Sequence, residues 1–378
     1  MRTVLLIDHA PFFGGAESCL VDLASSIDRR EFTPIIISDT ASPVLDEFRN
    51  TGDPVYATPL PRIRRTPAFA WRLASAGLRL ARLAERLKAD VMHTFTARTH
   101  LIGAVASRLS GIPLVWRIGD DTLPPSAMSF FGRVPRRIVG VSEWINAQYP
   151  RVAFKGIVPD GTRPAMDISR AVARRELGLA PEDRVAAHVG RLVRWKGQDV
   201  FIRAMANAVR AVPDARGIIV GSWHADDTPS GPLFGGERYY NELRALAVEL
   251  GLNTSTDDRI MFTGFIRDPG MAYAAADVFA HTSILPEPFG RTIIEAMIAG
   301  CPVIASDAGG PSEILSDGAS GLLTAPGDVD ALSAALISVL QSPERQRALS
   351  DAGRARVNAE YTLDRMTRRM EAVYRAAL

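Results

Sequence analysis

Twice along this chain, short apolar runs alternate with segments of helical periodicity, and that alternation restricts the fold more than any other feature. In the first half the runs 4–7, 34–38, 54–57, 90–93, 113–118, 138–141 and 153–158 read as strands. In the second half the runs 184–189, 213–221, 259–262, 278–281, 303–305 and 321–324 do so. Apolar runs of this length suit strands buried on both faces of a parallel sheet. Helical segments separate them, and strand–helix alternation builds doubly wound sheets. A chain of 378 residues exceeds one ordinary core. The expectation is therefore α/β: two facing Rossmann-like doubly wound domains, 1–165 and 166–361. A terminal amphipathic helix within 362–378 is expected to pack back on the first. Ligand loops are expected at the carboxyl ends of the strands.

Composition excludes several classes. Hydrophobic content of 47% and charge of 23% are those of a globular protein. Two cysteines, Cys19 and Cys301, make neither a disulfide framework nor a zinc spacing and fit a reducing compartment. The run 4–7 is too short for a signal-peptide core, and no segment approaches the roughly 18 apolar residues of a membrane span. A cytoplasmic location follows as an expectation, peripheral on the inner face of the membrane as its variant. The net charge of +2 divides into +6 over residues 1–165 and −4 over 166–378. Basic residues concentrate from Arg62 to Lys88, eight of them against the single acid Glu85. That excess is too modest for a nucleic-acid binder. Within it Arg72, Arg79 and Arg86 recur every seven residues along the expected helix 67–88. They form either a solvated helix face or a patch for an anionic membrane or acceptor.

The densest chemistry lies at 281–310, HTSILPEPFGRTIIEAMIAGCPVIASDAGG. A proline-bracketed loop enters a short helix, with Glu287 before the helix and Glu295 inside it. The amides near Phe289, Gly290 and Arg291, at the helix start, lack intrahelical partners and favour an anion. Ionised carboxylates only accept hydrogen bonds, so glutamates beside an anion site suit hydroxyl groups. Taken alone, the stretch is either a sugar-nucleotide site or a capped helix with two solvated glutamates. Residues 190–197 (GRLVRWKG) place Arg191 and Lys196 between a strand end and a helix start, where two cations can clamp a diphosphate. Gly14 and Gly15, after the first strand, permit close approach of a phosphate. His93, Arg117 and Asp120 fall at strand carboxyl ends and are the acceptor-side candidates. Residues 124–137 form either an acceptor or membrane lip or a loop with a short helix. Residues 223–238 form a long polar loop.

These motifs, in this order, resemble retaining glycosyltransferase family 4, which has the GT-B fold. The resemblance rests on GGAE at 14–17, Asp160-Gly161, GRLVRWKG, FTGF at 262–265, EPFGRTIIEAMIAGCPVIAS at 287–306, and GGPSEIL. It covers nearly the whole chain. It implies that Glu287 meets donor-sugar hydroxyls, that Phe289 and Gly290 hold phosphate or sugar through their amides, and that Glu295 binds the ribose. Arg191 and Lys196 would neutralise the leaving β-phosphate, with no metal and no cofactor beyond the nucleotide-diphosphate-sugar substrate. Gly15, Gly221 and Ile266, the last just past the 262–265 turn, join the donor side. Acceptors expected for the class are a glycan, a lipid-linked sugar or a small molecule. One departure stands out: where many members carry a His after the strand 113–118, this chain reads Trp116-Arg117-Ile118-Gly119-Asp120. A catalytically weak sugar-nucleotide-binding or scaffolding homologue is the alternative. A nicotinamide oxidoreductase is disfavoured by the lack of GxGxxG.

Overall fold

The computed structural model describes residues 1–9, 14–61, 68–120, 124–222, 235–266, 268–315 and 318–378. Arg62, Arg64, Arg65, Asp121, Arg267 and most of the 223–238 loop lie outside these. The chain forms two compact units, Met1–Gly161 with Tyr361–Leu378, and Thr162–Glu360. The sequence reading placed the divisions at 165/166 and 361/362.

The first unit runs β1 (Arg2–Ile7), α1 (Gly15–Ser26), β2 (Phe32–Asp39), α2 (Leu45–Arg49), β3 (Val55–Thr58) and α3 (Phe69–Arg86). It continues β4 (Val91–Thr94), α4 (Ala97–Ser110), β5 (Leu114–Ile118), α5 (Pro125–Phe131), β6 (Arg137–Gly140) and α6 (Glu143–Gln148). Its six strands lie parallel in the order β3-β2-β1-β4-β5-β6. Along β1, Val4 and Leu6 enter one core layer while Leu5 and Ile7 enter the layer on the other face. Burial on both faces is why the run had to be apolar throughout. Ser142 caps α6 by accepting the amide of Ile145 at 3.1 Å, as its sequence position suggests.

The second unit runs α7 (Arg170–Glu176), β7 (Arg184–Val189), α8 (Gln198–Ala211), β8 (Ala215–Val220), α9 (Gly236–Glu249), β9 (Ile260–Gly264) and α10 (Gly270–Ala275). Then come β10 (Val278–His281), α11 (Arg291–Ala299), β11 (Val303–Ser306), α12 (Gly310–Ile314), β12 (Leu322–Thr324), α13 (Val329–Leu340) and α14 (Pro343–Glu360). Its order is β12-β11-β10-β7-β8-β9, again parallel. The last helix, α15 (Leu363–Ala377), belongs to the first unit: Met366, Met370 and Tyr374 sit in the core beside α1.

Two elements differ from the sequence reading. The run 153–158 forms no strand; it lies along β6 through the isolated bridge between Gly140 and Ile157 and a few backbone hydrogen bonds, such as Lys155 N–H to Ile138 O at 2.8 Å, and the backbone at Gly156 turns to φ 132° midway. Helix α7 has no counterpart in the sequence reading. It carries no apolar stripe, and Arg170 and Arg174, one turn apart, both pair with Asp277 at 2.6 and 2.8 Å.

Candidate active site

In the second sheet the chain reverses direction between β7 and β10, so the loops leaving those two strands share one end of the sheet. This is where open α/β sheets hold ligands. The loop after β7 carries Arg191 and Lys196; the loop after β10 carries Glu287. The two loops are tied together. Thr282 donates its hydroxyl to the carbonyls of Lys196 and Gly197 at 3.0 and 2.8 Å, and Ile284 N–H donates to Trp195 O at 2.8 Å. Gly197, at φ 67°, closes the turn; a Cβ there would lie 2.1 Å from the Thr282 carbonyl. Gly221, ending β8, lies equally close to the other side of the loop, since a Cβ would lie 1.9 Å from Gly190 O. Gln198 fixes the start of the loop by donating to Arg191 O at 2.8 Å.

Lys196 reaches Glu287 and forms an ion pair with its Oε1. His281 Nε2 lies 2.9 Å from the same oxygen, and the Ser283 hydroxyl also donates to it. Glu287 is only 7% exposed. Burial alone would push its carboxyl up, but Lys196 and His281 outweigh burial and hold it well below the usual carboxylate range. Beneath the loop, His188 Nε2 donates to Lys196 O at 3.2 Å. Burial pushes the His188 imidazole down to about 3, so it is neutral. Arg194 is turned to other work: it pairs with Glu242 and lies 4.8 Å over the Tyr239 ring.

The sequence from Glu287 to Gly290 delivers the chain to the start of α11, with Gly290 at the N-cap. The Gly309-Gly310 turn packs on this loop, and Gly310 N–H donates to Glu287 O at 2.8 Å. Phe289 is buried beside it. One turn into α11, Arg291 Nε donates to Glu295 Oε1 at 2.9 Å, and Tyr273 OH approaches Oε2 at 3.4 Å. Burial and the Glu295 charge hold the Tyr273 hydroxyl well above its ordinary range. Ile266 is half-buried just past β9.

In the first unit, Gly14 and Gly15 open α1, and Gly14 N–H donates to Glu17 Oε2 at 2.9 Å. Burial, then the neighbouring Asp8, push the Glu17 carboxyl up to about 8. Two acceptor-side candidates need correcting. His93 is fully buried, stacks on Phe95, and shares a 2.7 Å hydrogen bond through Nδ1 with Tyr374 OH of α15. Arg117 is 5% exposed and pairs with Asp160, with its Nε donating to Val158 O at 3.0 Å. Both side chains hold the unit together rather than face a ligand. Asp120 stays half-buried beyond β5. Sequence reasoning missed His188, His281 and Ser283; the only signal was their place at the ends of β7 and β10.

Two six-stranded parallel sheets of this order define the GT-B class of glycosyltransferases. HepE from Anabaena, solved in complex with UDP-glucose, matches over 100% of both chains with a TM-score of 0.83 and 25% identity. Sucrose-phosphate synthase from Thermosynechococcus elongatus shares the fold, with a TM-score of 0.80 at 24% identity over 99% of this chain and 98% of its own. The pattern of the family "Glycosyl transferases group 1" matches residues 169–356, and that of "Glycosyl transferase 4-like domain" matches 14–154. The GDP-mannose-dependent monoacylated alpha-(1-6)-phosphatidylinositol monomannoside mannosyltransferase of Corynebacterium glutamicum is 34% identical across 97% of this chain and 96% of its own length. A D-inositol 3-phosphate glycosyltransferase of Nocardia farcinica is 36% identical over 70% of this chain and 56% of its own length. The chain belongs to glycosyltransferase family 4, enzymes that transfer a sugar from a nucleotide-sugar donor.

Proposed function

We propose that this enzyme transfers a hexose, with retention of anomeric configuration, from a nucleoside-diphosphate sugar to a glycolipid acceptor. The observation that carries the reading is the meeting of Lys196 and Glu287 at the β7–β10 reversal. Lys196 and Arg191 offset the negative charge that grows on the β-phosphate as the anomeric C–O bond breaks. Glu287, kept ionised, only accepts hydrogen bonds, so it takes those of the sugar hydroxyls. The amides of Phe289 and Gly290, leading into the positive end of α11, hold phosphate or sugar. Glu295 takes the ribose hydroxyls, and Gly14, Gly15, Gly221 and Ile266 allow close packing of the nucleotide. The acceptor hydroxyl attacks from the face the phosphate leaves. Its oxygen bonds to the anomeric carbon and its proton passes to the departing phosphate, so no enzymic nucleophile and no metal is needed.

The donor follows the relatives. GDP-mannose is named for the Corynebacterium enzyme and UDP-glucose for the HepE complex. Nucleoside diphosphate release from each, followed by NMR of the product's anomeric centre, tests the reading. Turnover of GDP-mannose that survives a chelator and yields an α-linked product is expected. An inverted product overturns the retaining mechanism, and donor binding without turnover favours the scaffolding homologue. The lipid acceptor draws support from the phosphatidylinositol mannoside in the name of the Corynebacterium relative and from α3. There Arg72, Arg79 and Arg86 are exposed beside Trp71, which is 72% exposed. Among the described residues no helix is long and apolar enough to cross a membrane. Peripheral attachment at the inner face through α3 is the reading, and it predicts salt-sensitive sedimentation with anionic liposomes. Equal binding by the charge-reversed triple variant at Arg72, Arg79 and Arg86 would make α3 an ordinary surface.

A further inference from the structure

Three hydrogen-bond donors converge on one oxygen of Glu287. Lys196 Nζ, His281 Nε2 and the Ser283 hydroxyl all reach Oε1, and among the described residues no hydrogen bond goes to Oε2. A carboxylate only accepts, so the His281 proton in this contact sits on Nε2. His281 Nδ1 is buried and has no partner among the described residues. His281 therefore donates to Glu287 from the end of β10. Its ring is 3% exposed, and its own carbonyl accepts the Ser306 hydroxyl of β11 at 3.4 Å. Nothing in this arrangement depends on a ligand.

Lys196 differs from the other two. A flexible ammonium 17% exposed can turn to a stronger anion, and the diphosphate of a donor is one. When it turns, Glu287 loses its cation while buried. We infer that His281, with Ser283, is the positioning residue that holds Glu287 by Oε1 when Lys196 leaves for the diphosphate, so that Oε2 stays aimed at the donor sugar. The inference rests on the proposed role of Lys196 and Glu287. It adds that the two members of the clamp exchange partners on donor binding and that a buried imidazole makes the exchange tolerable. The titratable groups around Glu287 are Lys196, His281 and the neutral His188, so a change at His281 is read against a simple background.

The test compares His281→Leu, which removes the donor, with His281→Gln, whose amide returns an N–H near the Nε2 position, and with Ser283→Ala. The assay is nucleoside diphosphate release from GDP-mannose and UDP-glucose across pH, with thermal melts as the folding control. His281→Leu is expected to lower kcat/KM by roughly tenfold to a hundredfold, as misplacement of a sugar-contacting group does. It should also move the acid limb of the pH profile upward, because a buried carboxylate that loses a donor protonates more readily. His281→Gln should restore most of both, and Ser283→Ala should show the same direction, more weakly. An unchanged rate and acid limb in His281→Leu overturns the inference. So does a loss that His281→Gln fails to rescue in a folded protein, since that is packing alone. If His281→Leu does not fold, Ser283→Ala decides by the same acid limb. Lys196→Ala and Glu287→Gln separate the two levels. If they lower turnover while His281→Leu leaves both rate and acid limb unchanged, only this inference fails. If they leave turnover intact, the clamp itself is wrong.

Discussion

Replacing Lys196 by Met isolates the charge while keeping much of the stem. Lys196 and Glu287 are 17% and 9% exposed at the side chain, so the pair is largely shielded from water. Stripping one partner from a fully buried pair costs about 3–5 kcal/mol. Here His281 and Ser283 still satisfy the same carboxylate oxygen, so the loss should be nearer ~2 kcal/mol, the scale of an under-satisfied charged group. For a unit of this size, that lowers the melting temperature by roughly 4–8 °C. Turnover should suffer more, because one preorganised charge at a developing oxyanion is worth about 3 kcal/mol, or ~150-fold. The pH dependence gives a second handle. The Glu287 carboxyl is held well below its ordinary value, so its stabilisation is present above the ordinary carboxylate range and is lost as pH falls through the folded-state value. In the variant burial raises that carboxyl, and the stability gap between the two proteins should close as pH falls below ~4.5. Circular-dichroism melts from neutral to acid pH, run beside nucleoside diphosphate release, measure both effects. Unchanged turnover would remove Lys196 from the phosphate clamp. A gap independent of pH would show that the lysine acts by packing rather than through Glu287.

Glu295→Gln removes the carboxylate that accepts from Arg291 and should weaken nucleoside diphosphate binding about tenfold by calorimetry; equal affinity would take Glu295 out of the ribose subsite. Gly197→Ala sets a Cβ 2.1 Å from Thr282 O at φ 67° and should cost at least ~1–3 kcal/mol in denaturant unfolding. Its turnover should fall too, because the strained turn carries Lys196; a variant with parental stability would show that the two loops are not locked. Arg117→Met breaks the buried pair with Asp160 and should destabilise the protein by about 3–5 kcal/mol without altering nucleoside diphosphate affinity. An intact melt with lost turnover would return Arg117 to the acceptor side.

Much of the architecture is written locally. Val4 to Ile7 packs two core layers at once, so every residue in it had to be apolar and the strand is readable without its neighbours. The ligand loops are readable for a related reason. Backbone that must bend sharply at Gly197 and Gly221, or turn left-handed at Gly290 to start α11, demands particular residues at fixed offsets. Helix α7 was illegible because its face is satisfied by Arg–Asp pairs rather than by an apolar stripe. The five-residue α2 and α12 are too short for any periodicity to show.

Partner choice is what the sequence withheld. His93 and Arg117 stand at strand ends where ligands gather, yet one is held by Tyr374, 281 residues away, and the other by Asp160. Lys196 and Glu287 are 91 residues apart, and only the β10-β7 adjacency brings them to one ion pair. Local sequence determined which segments are strands, which turns need glycine and which loops carry charge, because each follows from burial and backbone sterics within a few residues. Strand order decided which charges meet, which histidines are structural and which oxygen of Glu287 takes three donors, because those depend on contacts that exist only once the sheet has closed.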